Sequence, residues 1–442
     1  MGKRFIGSLI LLFAMPSFAQ ADSIVRVGAC KTAHYPWNLV VRDSMLYLAD
    51  RGSFVVIDVS NPASPWVRSV LEDVFTDRAK SLVVRENDTL AYVRSSTDLV
   101  IINITDVDSP ITVGNCELPT CGGADPRGLF VNDTIAFIAN NNNGVIVCNV
   151  ADPLNPAIID TSFPTHWAIN LTMRDSILFI ADMDSVLIVN AKDPMNLQRI
   201  SSVPSLGLWD GGGEGHIYDV AVQGDYAYFT VSWYYYPGRL GIVDISDLKN
   251  PEIIGEVGGL KGGPEAIDLE NEYAYIATKN QYDPFVKGGI RITDIANPDS
   301  VSSIASYDTP GSPKDVYVVG DLIYVADYDS VQILRHIRSG VEEREKLKLQ
   351  SVELKVYPNP FERRVAIEFT VPFSANACLE IYDAVGRKVR TLYNGILWHT
   401  TFKFYWNGKD DYGKEVAGGK YFVTLTPEGL WAPTGEEIIY LK

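Results

Sequence analysis

The chain has 442 residues, of which 46% are hydrophobic and 11% aromatic, with 35 glycines and 24 prolines. This composition is typical of a globular protein of about two or three domains, and it excludes wholesale disorder and a collagen-like structure. The formal net charge of −17 at pH 7 argues against nucleic-acid binding, because such binding needs a basic face.

The first 21 residues have the features of a secretory signal peptide. Lys3 and Arg4 give it a positive start, residues 5–15 form an apolar run, and residues 19–21 form an A-x-A cleavage signal. The run is shorter than the roughly 20 apolar residues that a membrane span needs, so we expect no transmembrane segment. We expect cleavage after residue 21 and a secreted mature chain.

The mature chain contains five cysteines: Cys30, Cys116, Cys121, Cys148 and Cys378. They are too few for the chain length to build a disulfide framework, and no C-x-x-C spacing indicates structural zinc. Cys116 and Cys121 are close enough in sequence to bridge across a loop, which export permits. Whether they do so is left open by the sequence.

One unit recurs seven times along the chain. It consists of an apolar run, a turn, a short run with a central aromatic residue, a loop, a V-x-I-x-D-like run and a proline-bearing turn. The aromatic residues of the second run recur every 42 to 49 positions, at Tyr47, Tyr92, Phe137, Phe179, Tyr228, Tyr275 and Tyr324.

These runs are short, rich in β-branched and aromatic residues and bounded by turn residues, which is typical of strands. Four strands in each of seven repeats predict an all-β fold, with a seven-bladed β-propeller over residues 22–338. Each blade has two apolar faces and can bury them only against its neighbours, so the ring has to close.

The closure of the ring can be located in the sequence. The seventh copy has three strands and runs into residues 335–338 without a proline turn, whereas residues 24–28 at the mature N-terminus resemble a fourth strand such as residues 253–257. We therefore predict that the N-terminal strand completes the last blade and removes an exposed sheet edge.

The repeat resembles that of the LVIVD-repeat family over about residues 24–337. The resemblance is carried by pairs such as Ala227-Tyr228, by the Val-Asp-Ile core of residues 241–245, and by turns such as Asn61-Pro62. It implies an exported or surface-exposed propeller, and no catalytic motif comes with it.

The C-terminal part begins with a charged linker, residues 339–353, which contains no aromatic residue. Short strand-like segments then predict a small Ig-like β-sandwich over residues 354–442. This block resembles the type A C-terminal sorting domain of the type IX secretion system, and also the Ig-like module of the flagellar hook-capping protein. The resemblance is carried by Tyr357-Pro-Asn-Pro360, Gly386, Trp406, Gly408, Gly413, Gly419 and Tyr421.

The resemblance of the tail implies passage through the periplasm to the cell surface or beyond, with the type IX secretion machinery as a partner of the C-terminal domain. The alternative is a plain Ig-like module without a role in export.

Catalytic and cofactor motifs are absent from the sequence. It has no Ser/His/Asp arrangement, phosphate-binding loop, H-E-x-x-H motif or calcium-binding loop, so we expect neither catalysis nor a cofactor. Asp182-Met-Asp184 and Asp327-Tyr-Asp329 resemble short metal motifs, but aspartate is also a common residue of tight turns. Metal binding is left open.

Propeller topology places two sets of loops on one face: those that enter each first strand and those between second and third strands. Among the residues there are His34, His166, His216, Trp233, Tyr234, Tyr235 and Tyr236. Aromatic rings among Asn, Asp and Gly suit a carbohydrate or an extended peptide. The alternative is that tryptophans such as Trp37, Trp167 and Trp209 only fill the spaces between blades.

The residue that opens the first strand of each repeat is polar or small in all seven copies: Asn38, Ser81, Gly128, Asn170, Asp219, Ala266 and Asp315. From this opening ring we predict a ligand site of Asn38, Asn170, Asp219 and Asp315, with the three histidines above it. Amides and carboxylates at a channel mouth can hold a cation, a water cluster or sugar hydroxyls. The alternative is that these groups cap strand ends and hydrate a water-filled channel.

The sequence therefore favours a secreted or cell-surface binding or scaffold protein, a monomer without catalytic activity. Extracellular carbohydrate or protein is the expected partner, and nucleic acid is not. The alternative is a hydrolase or lyase acting on extracellular polysaccharide, with Asp219, Asp315, Glu214 and His216 as its acid/base residues.

Overall fold

The computed structural model describes residues 22–75, 77–85, 89–121, 126–206, 215–232, 237–279, 287–338, 354–370, 375–397, 401–427 and 434–441. The predicted signal peptide and linker lie outside these residues. The chain divides into two compact units, one spanning Ala21–Ile337 and the other following from Arg338. Within the described ranges the one helix is a 3-10 turn at Pro298–Ser300, and none is long and apolar enough to cross a membrane.

The first unit contains seven antiparallel four-stranded sheets, which we call blades 1 to 7. Blade 1 consists of β2 (Pro36–Arg42), β3 (Met45–Asp50), β4 (Ser53–Asp58) and β5 (Trp66–Leu71). Blade 2 consists of β6 (Ala79–Val84), β7 (Leu90–Ser95), β8 (Asp98–Asn103) and β9 (Ile111–Glu117). Blade 3 consists of β10 (Leu129–Asn132), β11 (Ile135–Ala139), β12 (Val145–Asn149) and β13 (Ala157–Phe163).

The remaining blades repeat this order. Blade 4 consists of β14 (Ala168–Arg174), β15 (Ile177–Asp182), β16 (Ser185–Asn190) and β17 (Gln198–Pro204). Blade 5 consists of β18 (His216–Gln223), β19 (Tyr226–Ser232), β20 (Gly238–Asp244) and β21 (Glu252–Leu260). Blade 6 consists of β22 (Gly263–Glu270), β23 (Tyr273–Lys279), β24 (Gly289–Asp294) and β25 (Ser302–Asp308). Blade 7 consists of β26 (Pro313–Val319), β27 (Leu322–Asp327), β28 (Ser330–Ile337) and, as its outermost strand, β1 (Ser23–Lys31).

The blades form a closed ring. Each innermost strand packs against that of the next blade, and β26 of blade 7 packs against β2 of blade 1. Seven hydrophobic cores lie between the blades, one for each pair of neighbours. The repeated aromatic residues of the second strands are all buried in them. The repeat pattern thus predicted both the strands and the surfaces that they bury, and the all-β propeller fold is confirmed.

Aspartate and asparagine side chains shape the turn that follows the third strand of a blade. In blade 5, Asp244 Oδ1 accepts the Ser246 N–H at 2.8 Å, and Asp247 Oδ1 accepts the Lys249 N–H at 3.0 Å. The same pair of bonds recurs in blades 1 to 4. Such Asx turns need a short side chain with a carbonyl oxygen. The turn role predicted for these residues is confirmed.

The N-terminal strand closes the ring as predicted. β1 pairs antiparallel with β28, from Ser23 opposite Ile337 to Lys31 opposite Ser330. Gly28 on this strand faces blade 1, where a Cβ atom would overlap the main-chain oxygen of Pro62. Only glycine leaves room there for the turn of blade 1 to pack against the closing strand.

A buried histidine holds the start of β1 in place. His336 is 2% exposed, and its two ring nitrogens contact Asp22 Oδ2 at 2.8 Å and the Tyr275 hydroxyl at 2.9 Å. Tyr273 packs edge-on against the same imidazole, with ring centroids 4.9 Å apart. Asp22, blade 6 and blade 7 are therefore linked through one side chain, and buried hydrogen bonds of this kind are costly to lose.

Two cysteine thiols face each other between blades 2 and 3. Cys116 on β9 and Cys148 on β12 lie within hydrogen-bonding distance. The hydrogen bond from Cys148 lowers the pKa of Cys116 to about 7, and the same bond together with burial raises the pKa of Cys148. Cys116 and Cys121 form no disulfide in this structure. The cysteine that lies next to Cys116 is Cys148.

In an oxidising compartment we expect Cys116 and Cys148 to form a disulfide, because a partly ionised thiol beside a second thiol is readily oxidised by a disulfide donor. The bond removes two hydrogen atoms and closes a loop whose constraint is worth about 3–4 kcal/mol. Intact-mass measurement of the exported protein, with and without reductant, detects that loss. Cys148→Ser should abolish the difference and Cys30→Ser should preserve it; equal masses with and without reductant in the exported protein contradict the pairing.

The second unit is a two-sheet β-sandwich. One sheet has β29 (Lys355–Tyr357), β30 (Val365–Thr370) and β33 (Thr401–Trp406), in that order. The other has β31 (Ala375–Asp383), β32 (Lys388–Leu397), β34 (Gly419–Pro427) and β35 (Thr434–Tyr440), in the order β32-β31-β34-β35. Both contribute to one hydrophobic core.

Trp406 is the centre of the sandwich core and is fully buried. Its ring packs against Phe361, with centroids 5.6 Å apart, and its Nε1 donates to the Lys409 oxygen at 2.9 Å. Gly408 has a φ of +70°, and a Cβ atom there would lie 2.7 Å from the Tyr440 ring. The W-x-G spacing seen in the sequence is thus a packing requirement of this core.

Candidate functional site

The inner strands of the propeller carry a β-bulge close to their first residue. In six blades the pairing of first and second strands skips one residue at this point. In blade 3 the equivalent residue is Arg127, two positions before the start of β10. We call this set the bulge ring, and it consists of Trp37, Lys80, Arg127, Ile169, Tyr218, Glu265 and Lys314.

A bulge leaves its extra residue out of the ladder and redirects the side chain. Here the redirected side chains lie at the entering ends of the inner strands, around the ring axis. Trp37, Arg127, Glu265 and Lys314 line a central cavity of about 200 Å³. The cavity continues inward to Asn38, Asn170 and Asp315 of the predicted opening ring.

Glu265 is the electrostatic centre of the bulge ring. Its side chain is fully buried and pairs with Arg127 and Lys279, with Lys314 at 3.6 Å. Burial alone would raise the pKa of Glu265, but the charges of Arg127, Lys314 and Lys279 outweigh burial and hold it well below the usual value. Glu265 is therefore ionised over the whole physiological range of pH.

Arg127 spans the ring. It comes from blade 3, yet its guanidinium pairs with the Glu265 carboxylate of blade 6. It also donates to the main-chain oxygens of Glu265 and Lys314, both at 3.4 Å. The side chain is only 10% exposed. A single arginine thus ties together blades on opposite sides of the channel.

Trp37 is surrounded by cations. The Lys80 ammonium lies 4.2 Å from the centroid of the indole, that of Lys314 lies 5.2 Å away, and the Arg127 guanidinium lies 5.8 Å away. All three distances are within the range of cation–π attraction. On the other side of Glu265, the Lys279 ammonium lies 4.7 Å from the Tyr218 ring. The two aromatic members of the bulge ring therefore stabilise the positive charges around Glu265.

The predicted site residues Asn38 and Asp315 meet one level further in. The Asn38 amide donates to Asp315 Oδ2 at 2.7 Å, and the Leu39 N–H donates to the same oxygen at 2.9 Å. Asn38 Oδ1 in turn accepts the N–H of Leu82 at 2.7 Å. These side chains join blade 7 to blade 1 and blade 1 to blade 2.

Asn170 and Asp219 form the same kind of link on the other side. The Asn170 amide donates to Asp219 Oδ1 at 2.6 Å, and the Ile267 N–H donates to Asp219 Oδ2 at 2.9 Å. Blades 4, 5 and 6 are thereby joined. The predicted ring residues are brought together as inter-blade hydrogen-bonding partners, the arrangement expected of side chains that cap strands.

Asp268, which the sequence analysis missed, has the same role between blades 6 and 7. Its Oδ2 accepts the Val318 N–H at 2.7 Å. Burial raises the pKa of Asp315 to about 8 and those of Asp219 and Asp268 to about 7, although the backbone hydrogen bonds that they accept act in the opposite direction. All three carboxyl groups therefore retain protonated forms near neutral pH.

The predicted histidines do not line the cavity. His34 and His166 are exposed. Their loops are anchored through the main chain: Asp50 accepts the His34 N–H at 3.1 Å, and Asp182 accepts the His166 N–H at 3.0 Å. His216 is half-buried at the start of β18. The predicted residues Trp233, Tyr234, Tyr235 and Tyr236, and the candidate acid Glu214, lie outside the described residues.

The short aspartate motifs act as loop anchors. Asp182 also accepts the Trp167 N–H at 2.5 Å, and Asp327 accepts the Gly311 N–H at 3.0 Å and the Thr309 hydroxyl at 2.9 Å. In the part of the chain that the structure describes, no group of three His, Cys, Asp or Glu side chains is arranged to hold a metal ion.

Two family models match the sequence. The LVIVD repeat matches residues 35–70, 214–258, 262–309 and 310–332, and the secretion system C-terminal sorting domain matches residues 355–408. No curated protein matches the chain.

Solved structures support the propeller fold. The WD40 β-propeller domain of Doa1 is 12% identical with a TM-score of 0.51, and the match covers 72% of this chain and 97% of that one. The β-propeller domain of Cps50 (Swd1) from Myceliophteria thermophila is 10% identical with a TM-score of 0.53, and covers 69% of this chain and 98% of that one. At such low identity the likeness concerns the fold alone.

Proposed function

We propose that this chain, a secreted or cell-surface β-propeller with LVIVD repeats and a C-terminal type IX sorting domain, is a binding protein without catalytic activity. The sorting domain indicates delivery by the type IX secretion machinery. The observation that carries the non-catalytic part is the state of the channel carboxylates. Each one that the structure describes there already accepts backbone hydrogen bonds or pairs with a cation.

A polysaccharide hydrolase or lyase needs an acid and a base that are free to reach the substrate. The raised pKa values of Asp219 and Asp315 would suit an acid. However, Asp219 accepts backbone hydrogen bonds from Val220 and Ile267, and Asp315 accepts those of Leu39 and Val316. Carboxyl groups held in this way support the ring, which favours binding over catalysis.

The partner is an extracellular carbohydrate or protein, recognised at the face where the entering loops and the bulge ring lie. The supporting features are the aromatic and charged side chains around the cavity and the export of the chain. Concave pockets with a few convergent polar groups are the usual binding sites of folded proteins.

Incubation of the purified full-length protein with a panel of extracellular polysaccharides and surface proteins tests this function. We expect retention of a ligand on the immobilised protein and no change in the ligand, measured as the absence of new reducing ends or unsaturated products. Product formation that disappears in the Asp219→Asn, Asp315→Asn double variant would show an enzyme instead.

A further inference from the structure

We propose that the mouth of the channel binds the carboxylate of an acidic sugar, a terminal uronic acid unit of an extracellular polysaccharide. This inference rests on the binding function proposed above and names its ligand class. It starts from the charges at the bulge ring, which are opposite to those of the protein as a whole.

Positive charge is concentrated at the mouth. Arg127, Lys279 and Lys314 surround the carboxylate of Glu265. Lys80 lies over the neighbouring Trp37 ring, with the exposed Asp77 as a counter-charge. The whole chain, by contrast, has 55 acidic against 38 basic residues. A basic cavity on an acidic protein attracts anions locally and discriminates among them by geometry.

The carboxyl groups deeper in the channel cancel this charge only in part. Asp219, Asp268 and Asp315 are buried, and their protonated forms persist near neutral pH. A protonated carboxyl group is a hydrogen-bond donor as well as an acceptor, like a sugar hydroxyl. Of the three, Asp268 and Asp315 line the cavity, so the wall below the cations is more polar than charged.

The remaining lining favours a sugar over a bare inorganic anion. Trp37 offers an aromatic surface in the same cavity as Arg127 and Lys314, and the amides of Asn38 and Asn170 lie beneath it. An apolar ring face, a carboxylate and several hydroxyls are the features of a uronic acid. Arginine and lysine bind carboxylates through charge-assisted hydrogen bonds.

The size of the cavity limits what enters. Its volume of about 200 Å³ is below the roughly 300–1,000 Å³ typical of sites for drug-sized ligands. One sugar unit fits such a space and a chain passing through does not. The ligand is therefore the end of a polysaccharide or a side branch.

The test is calorimetric titration of the full-length protein with a trisaccharide that ends in glucuronate, beside the same trisaccharide with that carboxyl group reduced to an alcohol. We expect the acid to bind at least about tenfold more tightly, since a hydrogen bond to a charged group is worth about that factor or more. Added salt should weaken the binding.

Lys314→Gln removes one cation of the mouth and retains most of the side chain; it should weaken binding of the acid about tenfold. Lys192→Gln, at an exposed lysine in the turn after β16, is the matched control and should have no effect. Arg127→Gln, at the other cation that lines the cavity, should give a second, independent loss, and melting curves verify that each variant is folded. Equal binding of acid and alcohol, or equal affinity of Lys314→Gln and Lys192→Gln, overturns the site.

Two further outcomes separate this inference from the function on which it rests. If inorganic phosphate binds as tightly as the glucuronate trisaccharide, the mouth is a simple oxyanion site and the sugar assignment is wrong. If the trisaccharide is cleaved, the protein is an enzyme and the non-catalytic function is wrong, whatever the affinity of Lys314→Gln.

Discussion

Deletion of Ser23–Lys31 should lower the melting temperature of the propeller by about 5–10 °C. The deletion removes the whole β1–β28 ladder and takes Ile24 and Cys30 out of two inter-blade cores. Each buried apolar side chain contributes about 1.5–3 kcal/mol, and a domain of roughly 300 residues loses about 1.5 °C for each kcal/mol. The unpaired edge of β28 should also promote aggregation.

Point substitutions in the same strand separate closure from a general effect of shortening the chain. Ile24 is 9% exposed and belongs to the core between blades 6 and 7, whereas the adjacent Val25 is 44% exposed. Ile24→Ser should therefore lower the melting temperature by several degrees more than Val25→Ser. A melting curve unchanged by the deletion, followed by circular dichroism, would mean that the ring is stable without its N-terminal strand.

Asp315→Asn should make the propeller more stable at alkaline pH, by a margin that shrinks steadily as the pH falls toward about 4. The pKa of Asp315 is raised to about 8 by burial, against about 3.9 in an unfolded chain. Between these values the folded state keeps a proton that the unfolded state has lost, so stability falls as the pH rises from about 4 to about 8. Asparagine is neutral throughout and keeps an oxygen that can accept the Leu39 N–H.

The measurement is the melting temperature of wild type and variant from pH 5 to pH 9. We expect the variant to melt a few degrees above wild type at pH 9, with a shallower dependence on pH that retains the contributions of Asp219 and Asp268. Glu265 adds no slope in this range because its pKa lies well below it. Asp329→Asn, at an exposed aspartate of the same blade, is the control. A variant that melts below wild type at pH 9 contradicts the account.

The fold was largely predictable from the sequence because its signals are local and repeated. Alternating strands and aromatic positions such as Tyr92 and Tyr275 recur with each unit, and the missing fourth strand of the last unit could be matched to residues 24–28. The pairing of Cys116 with Cys148 could not be foreseen, since these residues belong to different blades and meet only through the packing of the ring.

The residues predicted for the site each lie one position after a residue of the bulge ring, which carries most of the charge. The position that opens the first strand of each repeat selects Asn38, Asp219 and Asp315, which link blades. The bulge position lies just before each of them and was not selected. A bulge changes which residue faces the channel, and an alignment of the repeats at a fixed position does not show where a bulge lies. The signal was nevertheless present, because the preceding position carries Lys80, Arg127, Glu265 and Lys314 where a strand buried in a sheet would be apolar.

The closing strand also determines when during synthesis the propeller can finish folding. Ser23 pairs with Ile337, so the ring cannot close until the chain has been synthesised as far as Ile337. Contacts between residues this far apart form late, because a long loop has to be closed first. A chain that remains open in this way is suited to crossing a membrane unfolded. Asp22, which bonds to His336, directly follows the cleavage site predicted from the sequence, so we expect that cleavage to free the end that locks the ring.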